Sequence, residues 1–136
     1  SGVVEDLVVP SEPELKKMAT VQHLSTLITG SYHGSVLDIV DRIHPTPAVG
    51  GVPTPDAVAY IDSNEDLDRG WYSGGIGYVT PGGDGAIAIA LRCGLVKRTV
   101  TDLFAGAGIV ADSEPASEVL ETRLKLRPLL DILAAP

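Results

Sequence analysis

The pattern of apolar and polar positions predicts short strands joined by tight turns. Gly and Pro, 15 and 10 of the 136 residues, fall mostly between the apolar runs. The strongest pattern is a hairpin, with strands at 71–79 and 86–96 on either side of the turn sequence PGGDG. The run AIAIAL at 86–91 has no polar face, which predicts a strand covered on both sides. Two further strands are predicted at 21–29 and 102–110.

Three helices are predicted from apolar residues at helical spacing. Each follows a capping Ser or Thr, namely Ser35, Thr54 and Ser113. The residues expected to face inward are Val36, Ile39, Val40 and Ile43 in the first helix, Ala57, Tyr60 and Ile61 in the second, and Val119, Leu126, Leu130 and Leu133 in the third. The apolar residues between 3 and 9 have no evident partner. The predicted fold class is α+β, a mainly antiparallel sheet with helices packed on one face.

Composition narrows the class of protein without choosing a function. The net charge is −8, from 18 acidic and 10 basic residues, which argues against a nucleic-acid partner. No apolar run approaches the ~20 residues that span a bilayer, so no membrane partner is expected. The single cysteine, Cys93, cannot form an internal disulfide, which favours a reducing cytoplasm. These features predict one soluble, acidic, cytoplasmic domain.

Residues 106–111, GAGIVA, match the loose dinucleotide pattern G-x-G-x-x-G/A. That pattern binds a nucleotide only within a strand–helix–strand unit, whereas here the chain continues into a single predicted helix. We therefore do not assign nucleotide binding. The glycines permit either close backbone packing or the approach of a ligand to the main chain, and the sequence leaves both open.

Glu118, Glu121 and Lys125 lie near one face of the last predicted helix. The simplest interpretation is a solvated stripe with one Glu121–Lys125 pair, worth about 0.3–0.5 kcal/mol. The alternative is a functional site, in which a carboxylate holds a hard cation and the ammonium receives an anionic substrate group. The spacing alone does not decide between them.

Arg92 interrupts an apolar run that is predicted to be buried. A buried guanidinium needs an anionic partner, either an internal carboxylate or the carboxylate of a ligand. Its neighbour Cys93 is interpreted as a small buried residue. No Ser, His and Asp residues show a recognisable triad spacing.

Several of these segments together resemble the chorismate-utilising enzymes, and within them the isochorismate synthases. The resemblance covers about residues 21–133 and preserves the order and spacing of the motifs. The matching segments are 44–51 (HPTPAVGG), 69–72 (RGWY), 75–78 (GIGY), 83–85 (GDG), 90–92 (ALR), 103–110 (LFAGAGIV) and 118–125 (EVLETRLK).

The resemblance implies a role for particular residues. It makes Glu121 a ligand of Mg²⁺, with Glu118 as the accompanying acidic residue, and it makes Arg92 and Lys125 the cations that hold the carboxylates of chorismate. Ala48 favours isochorismate synthase, because the salicylate and anthranilate branches usually carry threonine there. The other residues implied to bind substrate are Val49, Tyr72 and Gly106.

The implied reaction moves the hydroxyl of chorismate from C4 to C2, with water as the nucleophile. Members of the family are longer, and their general base, general acid and a further Mg²⁺-binding glutamate lie upstream of the matched region. We therefore expect residues 1–136 to be the C-terminal part of a chorismate-binding domain, with no catalytic acid or base and no activity alone. Its expected partners are chorismate and the N-terminal portion of the same enzyme.

Two alternatives remain at this point. One is a non-catalytic binding or interaction fragment, and the other is a sibling activity that forms salicylate or anthranilate. The resemblance also leaves open whether the product feeds menaquinone or siderophore biosynthesis.

Overall fold

The computed structural model describes residues 4–17 and 22–135. The chain divides into two compact units, Ser1–Asp38 and Ile39–Pro136. Val3 and Val21, which belong to apolar runs noted in the sequence, lie outside the described residues.

The first unit contains two antiparallel ribbons. Its strands are β1 (Val4–Val8), β2 (Glu14–Lys17), β3 (Gln22–Ser25) and β4 (Thr29–Tyr32). Strand β1 pairs with β4 and β2 pairs with β3. Val4 lies opposite Tyr32, so the backbone of this segment has a partner strand. The side chains of Leu7, Val8 and Val9 remain more than half exposed, as expected for apolar residues without a packing partner. The strand predicted at 21–29 is wrong in extent, because residues 26–28 separate β3 from β4.

Helix α1 (Val36–Ile43) confirms the first predicted helix. The Ser35 amide donates to Asp38 Oδ2 at 3.0 Å, and the Leu37 amide donates to Ser35 Oγ at 3.1 Å. This reciprocal capping satisfies amides that have no partner inside the helix. The helix ends before Pro45, as predicted from the HPTP sequence.

Helices α2 (Pro47–Gly50) and α3 (Thr54–Asn64) follow. The short α2 was not predicted. Thr54 is the first residue of α3 and not its cap, since Pro53 occupies the cap position. The Thr54 hydroxyl donates instead to the Gly51 carbonyl at 3.0 Å. Of the three residues predicted to face inward, Ala57 and Ile61 are half-buried while Tyr60 is exposed.

Strands β5 (Gly75–Val79) and β6 (Gly85–Ile89) form the predicted hairpin. Gly77 lies opposite Ile87, and a Cβ at residue 77 would overlap the Ala86 carbonyl oxygen, so this position requires glycine. The predicted strand at 71–79 is too long. Residues 71–74 instead form a turn, in which the Tyr72 amide donates to the Arg69 carbonyl at 2.8 Å.

The strand predicted at 86–96 is two strands. Strand β6 ends at Ile89 and β7 (Cys93–Lys97) begins after Arg92, whose φ of 45° lies in the left-handed region. Strand β7 pairs with β8 (Val100–Phe104). The strand predicted at 102–110 therefore ends early, and residues 105–114 form an irregular segment before helix α4 (Pro115–Leu133).

Burial is shallow throughout the described residues, and no hydrophobic side chain among them is fully enclosed. The predicted stripe of α4 is open, with Val119, Leu130 and Leu133 each more than half exposed and Leu126 half-buried. In the AIAIAL run, Ile87 reaches only half burial, so coverage on both faces is wrong for this chain. The physical reason is that these strands pair in two-stranded ribbons, which leave much of each face uncovered.

The predicted α+β class is confirmed. The described residues form four antiparallel strand pairs together with four helices. None of these helices has the length and apolar character needed to cross a bilayer.

Candidate functional site

Lys125 joins helix α4 to the segment that follows β8. Its Nζ lies 2.5 Å from Glu121 Oε1, one helical turn earlier, and donates to the Gly106 carbonyl at 2.8 Å. Its side chain is 23% exposed, whereas that of Glu121 is 54% exposed. The ammonium is therefore held by two partners and lies close to the surface.

Glu121 is an ionised carboxylate at neutral pH. The hydrogen bond from Lys125 lowers the pKa of Glu121, and the charge of Arg92 lowers that pKa further. Three predicted site residues, Arg92, Glu121 and Lys125, thus belong to one electrostatic neighbourhood.

Arg92 differs from its prediction. The run that contains it is not buried, and Arg92 is exposed at a left-handed position after β6. It forms no ion pair with any carboxylate in the described ranges, so an internal salt bridge is wrong for this chain. The predicted burial of the neighbouring Cys93 is partial, because its side chain is half-buried and its Sγ lies 3.8 Å from the Ala90 carbonyl.

Glu118 is oriented by the segment before α4. Its Oε1 accepts from Ser113 Oγ at 2.6 Å, and that same hydroxyl accepts from the Val110 amide at 3.1 Å. Ser113 therefore does not cap the helix as predicted, since Glu114 occupies the cap position. Ser113 instead fixes the carboxylate of Glu118, which is half-buried.

Glu118 and Glu121 are held by different partners, and no third His, Cys, Asp or Glu joins them in the part of the chain described. Two carboxylates suit Mg²⁺, which prefers oxygen ligands and usually completes its shell with water or substrate oxygens. The donor set is compatible with a partial magnesium site.

Tyr72 contacts the segment that Lys125 holds. Its hydroxyl would lie 2.6 Å from a Cβ at residue 106, so glycine is required there for the tyrosine to approach. The Tyr72 ring stacks on Phe104, with centroids 5.5 Å apart and planes inclined by 18°. Partial burial raises the pKa of Tyr72, so its hydroxyl stays protonated at neutral pH.

Arg69 was noted only as part of a motif, yet it makes several contacts beside Tyr72. Its Nε and Nη2 donate to the two carboxylate oxygens of Glu65 at 2.7 and 2.5 Å. Its Nη1 donates to the Val49 carbonyl at 3.3 Å, and its Cζ lies 5.8 Å from the Tyr72 ring centroid. The sequence contained one signal for this pair, because Glu65 and Arg69 carry opposite charges and lie four residues apart.

Ala48 and Val49, the remaining predicted substrate-binding residues, lie in α2. Ala48 is exposed and Val49 is half-buried. Val49 is connected to the Tyr72 region through its carbonyl, which Arg69 binds. The structure thus links Val49, Tyr72, Gly106 and Lys125 through successive contacts, while Ala48 makes no such contact among the described residues.

Comparison with known proteins identifies the family of this chain. Residues 1–134 match the model of a family described as chorismate binding enzyme. The chain belongs to this family.

Several similar proteins carry the name isochorismate synthase. The chain is 44% identical over 126 residues to isochorismate synthase MenF of Bacillus subtilis, covering 91% of this chain. It is 44% identical over 133 residues to the salicylate biosynthesis isochorismate synthase of Pseudomonas aeruginosa, covering 96% of this chain. A crystal structure assigned as the 2,3-dihydroxybenzoate-specific isochorismate synthase DhbC of Bacillus anthracis superposes with a TM-score of 0.90 at 34% identity, covering 98% of this chain.

These relatives are much longer than the matched region. The chain covers 27% of the Bacillus subtilis protein, 28% of the Pseudomonas protein and 36% of the solved Bacillus anthracis chain. It therefore spans about a quarter to a third of their length.

Proposed function

We propose that this chain forms the carboxylate-binding and part of the metal-binding region of a magnesium-dependent isochorismate synthase. That enzyme would move the hydroxyl group of chorismate from C4 to C2. The observation that carries the proposal is the position of Lys125, bound by both Glu121 and the Gly106 carbonyl. An ammonium has three donors, so one N–H remains for an anionic substrate group.

Arg92 supplies a second cation for a substrate with two carboxylates. Its guanidinium is exposed and forms no ion pair with a described carboxylate, so its donors are available to a ligand. A planar guanidinium binds a carboxylate through two parallel hydrogen bonds, which fixes orientation as well as adding affinity.

Glu121 and Glu118 are the residues that would hold Mg²⁺. Glu121 is ionised and exposed, and its second oxygen is not used by Lys125. Glu118 keeps one oxygen beyond the one that accepts from Ser113. Bound there, Mg²⁺ would supply a fixed positive charge for a substrate carboxylate.

The bond changes require groups that we assign to the rest of a longer protein. A C–O bond forms at C2 from water and the C4–O bond breaks, so a general base must take one proton and a general acid must give one to the leaving hydroxyl. Within this chain, Arg92, Lys125 and Tyr72 bind and orient the substrate. We therefore expect the isolated 136-residue chain to give no turnover.

The test uses the complete protein that contains this chain, supplied with chorismate and assayed for isochorismate with Mg²⁺ or with a chelator. Lys125→Gln removes the charge that would hold the substrate. It is expected to lower kcat/KM by about 10- to 100-fold, because that factor corresponds to the free energy of one hydrogen bond to a charged group. Arg127→Gln is the matched control, because Arg127 lies on the same helix with its side chain 74% exposed.

Three outcomes would contradict the proposal. One is a complete protein that binds chorismate without converting it, which would establish a non-catalytic binding function. Another is formation of salicylate or anthranilate, which would establish a sibling activity. The third is turnover by the 136-residue chain alone, which would mean that the acid and base lie within it.

We further propose a cytoplasmic location. The support is Cys93, the single cysteine of this chain, which is a free thiol. Fractionation of cells that express the complete protein tests this, and recovery from an oxidising compartment would contradict it.

A further inference from the structure

Arg69 lies where three segments of the second unit meet. Its planar guanidinium binds both carboxylate oxygens of Glu65, which directly follows α3. Its Nη1 donates to the Val49 carbonyl of α2 at 3.3 Å and to Ser73 Oγ of the 71–74 turn at 3.4 Å. One side chain therefore contacts α2, the end of α3 and the turn that carries Tyr72.

The Glu65–Arg69 pair is stably charged. The hydrogen bond from Arg69 lowers the pKa of Glu65, and the bond to Glu65 raises the pKa of Arg69. Both groups are therefore ionised at neutral pH. The paired geometry holds the guanidinium plane in one orientation, which a lysine ammonium in the same place does not reproduce.

The orientation of Arg69 bears on Tyr72 directly. Its Cζ lies 5.8 Å from the ring centroid, within the range of a cation–π contact. The same ring stacks on Phe104, and its hydroxyl lies against Gly106, whose carbonyl accepts from Lys125. A shift of the Tyr72 ring would therefore displace the segment around Gly106, to which Lys125 is bonded.

The turn that carries Tyr72 is also bonded to the segment before Arg92. The Ser73 amide donates to the Ala90 carbonyl at 3.0 Å, and the Ala90 amide donates to the Gly74 carbonyl at 2.9 Å. Ala90 lies two residues before Arg92. The turn that carries Tyr72 is therefore bonded to the chain close to Arg92.

We infer that Arg69, held by Glu65, is a positioning residue that sets the orientation of the Tyr72 ring beside the substrate. This inference rests on the proposed function, because it takes Tyr72 as part of the substrate site. Arg69 itself does not bind the substrate and acts through the Tyr72 ring. An ordinary exposed ion pair with the same spacing would stabilise the fold slightly and leave substrate recognition unchanged.

The test is a double-mutant cycle in the complete protein, with chorismate as substrate. Arg69→Lys keeps the positive charge and removes the planar guanidinium. It is expected to lower kcat/KM by about 10- to 100-fold, because a group that binds the substrate is then misplaced. In a Tyr72→Ala background, Arg69→Lys is expected to have little further effect, because the ring through which it acts is gone. In a Tyr72→Phe background the loss should return, since the ring remains.

Arg127→Lys is the matched control for this cycle. Arg127 also pairs with a carboxylate four residues away, at 3.9 Å from Asp131, and it is 74% exposed. It is expected to leave kcat/KM unchanged. If Arg69→Lys behaves like Arg127→Lys, or if its effect is equally large in the Tyr72→Ala protein, the inference is overturned while the proposed function stands.

A wild-type protein that forms no isochorismate would instead contradict the proposed function. The same variants then test the contact by urea unfolding of the complete protein. A non-additive shift of the unfolding midpoint in the Arg69→Lys, Tyr72→Ala pair supports the coupling. Strictly additive midpoints overturn it.

Discussion

Helix α4 carries two carboxylate–cation pairs with the same four-residue spacing, and they have different surroundings. In the first, Glu121 and Lys125 are 2.5 Å apart, and Lys125 is 23% exposed. In the second, Arg127 and Asp131 are 3.9 Å apart, and both side chains are at least 70% exposed. The spacing is the same, so it does not explain the difference.

Two physical effects separate the pairs. In the first pair the carboxylate precedes the cation, which is the better order along a helix, whereas the second pair has the reverse order. The larger effect is tertiary, because the Gly106 carbonyl gives Lys125 a second partner outside the helix. No such contact from another element binds Arg127 or Asp131 among the hydrogen bonds of the described residues. A helical ion pair becomes a candidate site when another element fixes one of its members.

The largest expected effect comes from breaking the first pair at its acidic end. Glu121→Gln keeps the size of the side chain and removes the charge that would bind Mg²⁺. Even residues that only support metal ligands cost ~10- to 100-fold when mutated, so loss of a ligand is expected to cost at least about 100-fold in turnover. The measurement is the rate of isochorismate formation by the complete protein over a range of Mg²⁺ concentrations.

Asp131→Asn is the matched control for Glu121→Gln, since it neutralises the acidic member of the second pair. It should leave the rate and the metal dependence unchanged. Equal behaviour of the two variants would place Glu121 on an ordinary solvated helix face.

Arg92 adds a third charged group to the surroundings of the first pair. Its charge lowers the pKa of Glu121, although Arg92 forms no ion pair with a described carboxylate. Under the proposed function, Arg92→Ala would remove hydrogen bonds to a substrate carboxylate, each worth about 1.5–3 kcal/mol. The expected result is an increase in KM of about 10- to 100-fold. Steady-state kinetics of the complete protein measure it, with Arg98→Ala, another exposed arginine, as the control.

Because Arg92 is exposed, its substitution should leave the unfolding midpoint unchanged. A lower midpoint with unaltered kinetics would assign Arg92 to stability instead of substrate binding.

Gly106→Ala tests the tertiary contact that distinguishes the first pair. The added Cβ would lie 2.6 Å from the Tyr72 hydroxyl, so the ring or the segment must move. Overpacking of this kind costs about 1–3 kcal/mol in stability. Urea unfolding of the complete protein measures this loss, and we expect it to be smaller in the Tyr72→Ala background, where the clash is absent.

Gly108→Ala provides a control two residues away, since a Cβ there meets no atom within 4 Å. If Gly106→Ala and Gly108→Ala have equal effects, the approach of Tyr72 to residue 106 is not what constrains this segment.

Local sequence signals predicted the helices and strands well where neighbouring residues along the chain determine the structure. The SVLD sequence at 35–38 contains both halves of a reciprocal cap, and the PGGDG turn lies between strands that pair. The same signals failed at Arg92. A continuous apolar run predicts a continuous strand, and nothing in residues 86–96 reveals the left-handed conformation that breaks it.

Burial was predicted poorly for a different reason. Apolar periodicity shows which face of an element avoids water, but it does not show which part of a protein covers that face. Val119 and Leu133 are 51% and 54% exposed in this chain, although both belong to the predicted inward stripe of α4. The family resemblance implied that Lys125 and Gly106 are site residues, and the structure shows that they are in contact. The contacts of Arg69 became evident only from the structure.

A pH series measures how much the Glu65–Arg69 pair contributes to the stability of the folded state. The pKa of Glu65 is lowered by Arg69, so the pair stabilises the folded state above the ordinary glutamate value of about 4.3, and this is lost as the pH falls through the lowered value. Glu65→Gln removes this contribution at every pH. The difference in unfolding midpoint between wild type and Glu65→Gln should therefore shrink as the pH falls below about 4.

The contribution of that pair is expected to stay below about 1 kcal/mol, because Glu65 is more than a third exposed and solvent screens the interaction. A difference that grows toward low pH would have the wrong sign for a carboxylate whose pKa is lowered by folding.

The smallest expected effect comes from removing the second pair of α4. Asp131→Ala breaks an exposed contact of 3.9 Å in the unfavourable order, and Asp131 lies near the negative end of the helix dipole. We expect a change of stability within about 0.5 kcal/mol, and we expect it to be a slight gain, since alanine also favours the helix. Thermal unfolding of the complete protein at low salt measures it. A loss above 1 kcal/mol would mean that Asp131 has a partner outside this chain, in which case the second pair would also depend on a tertiary contact.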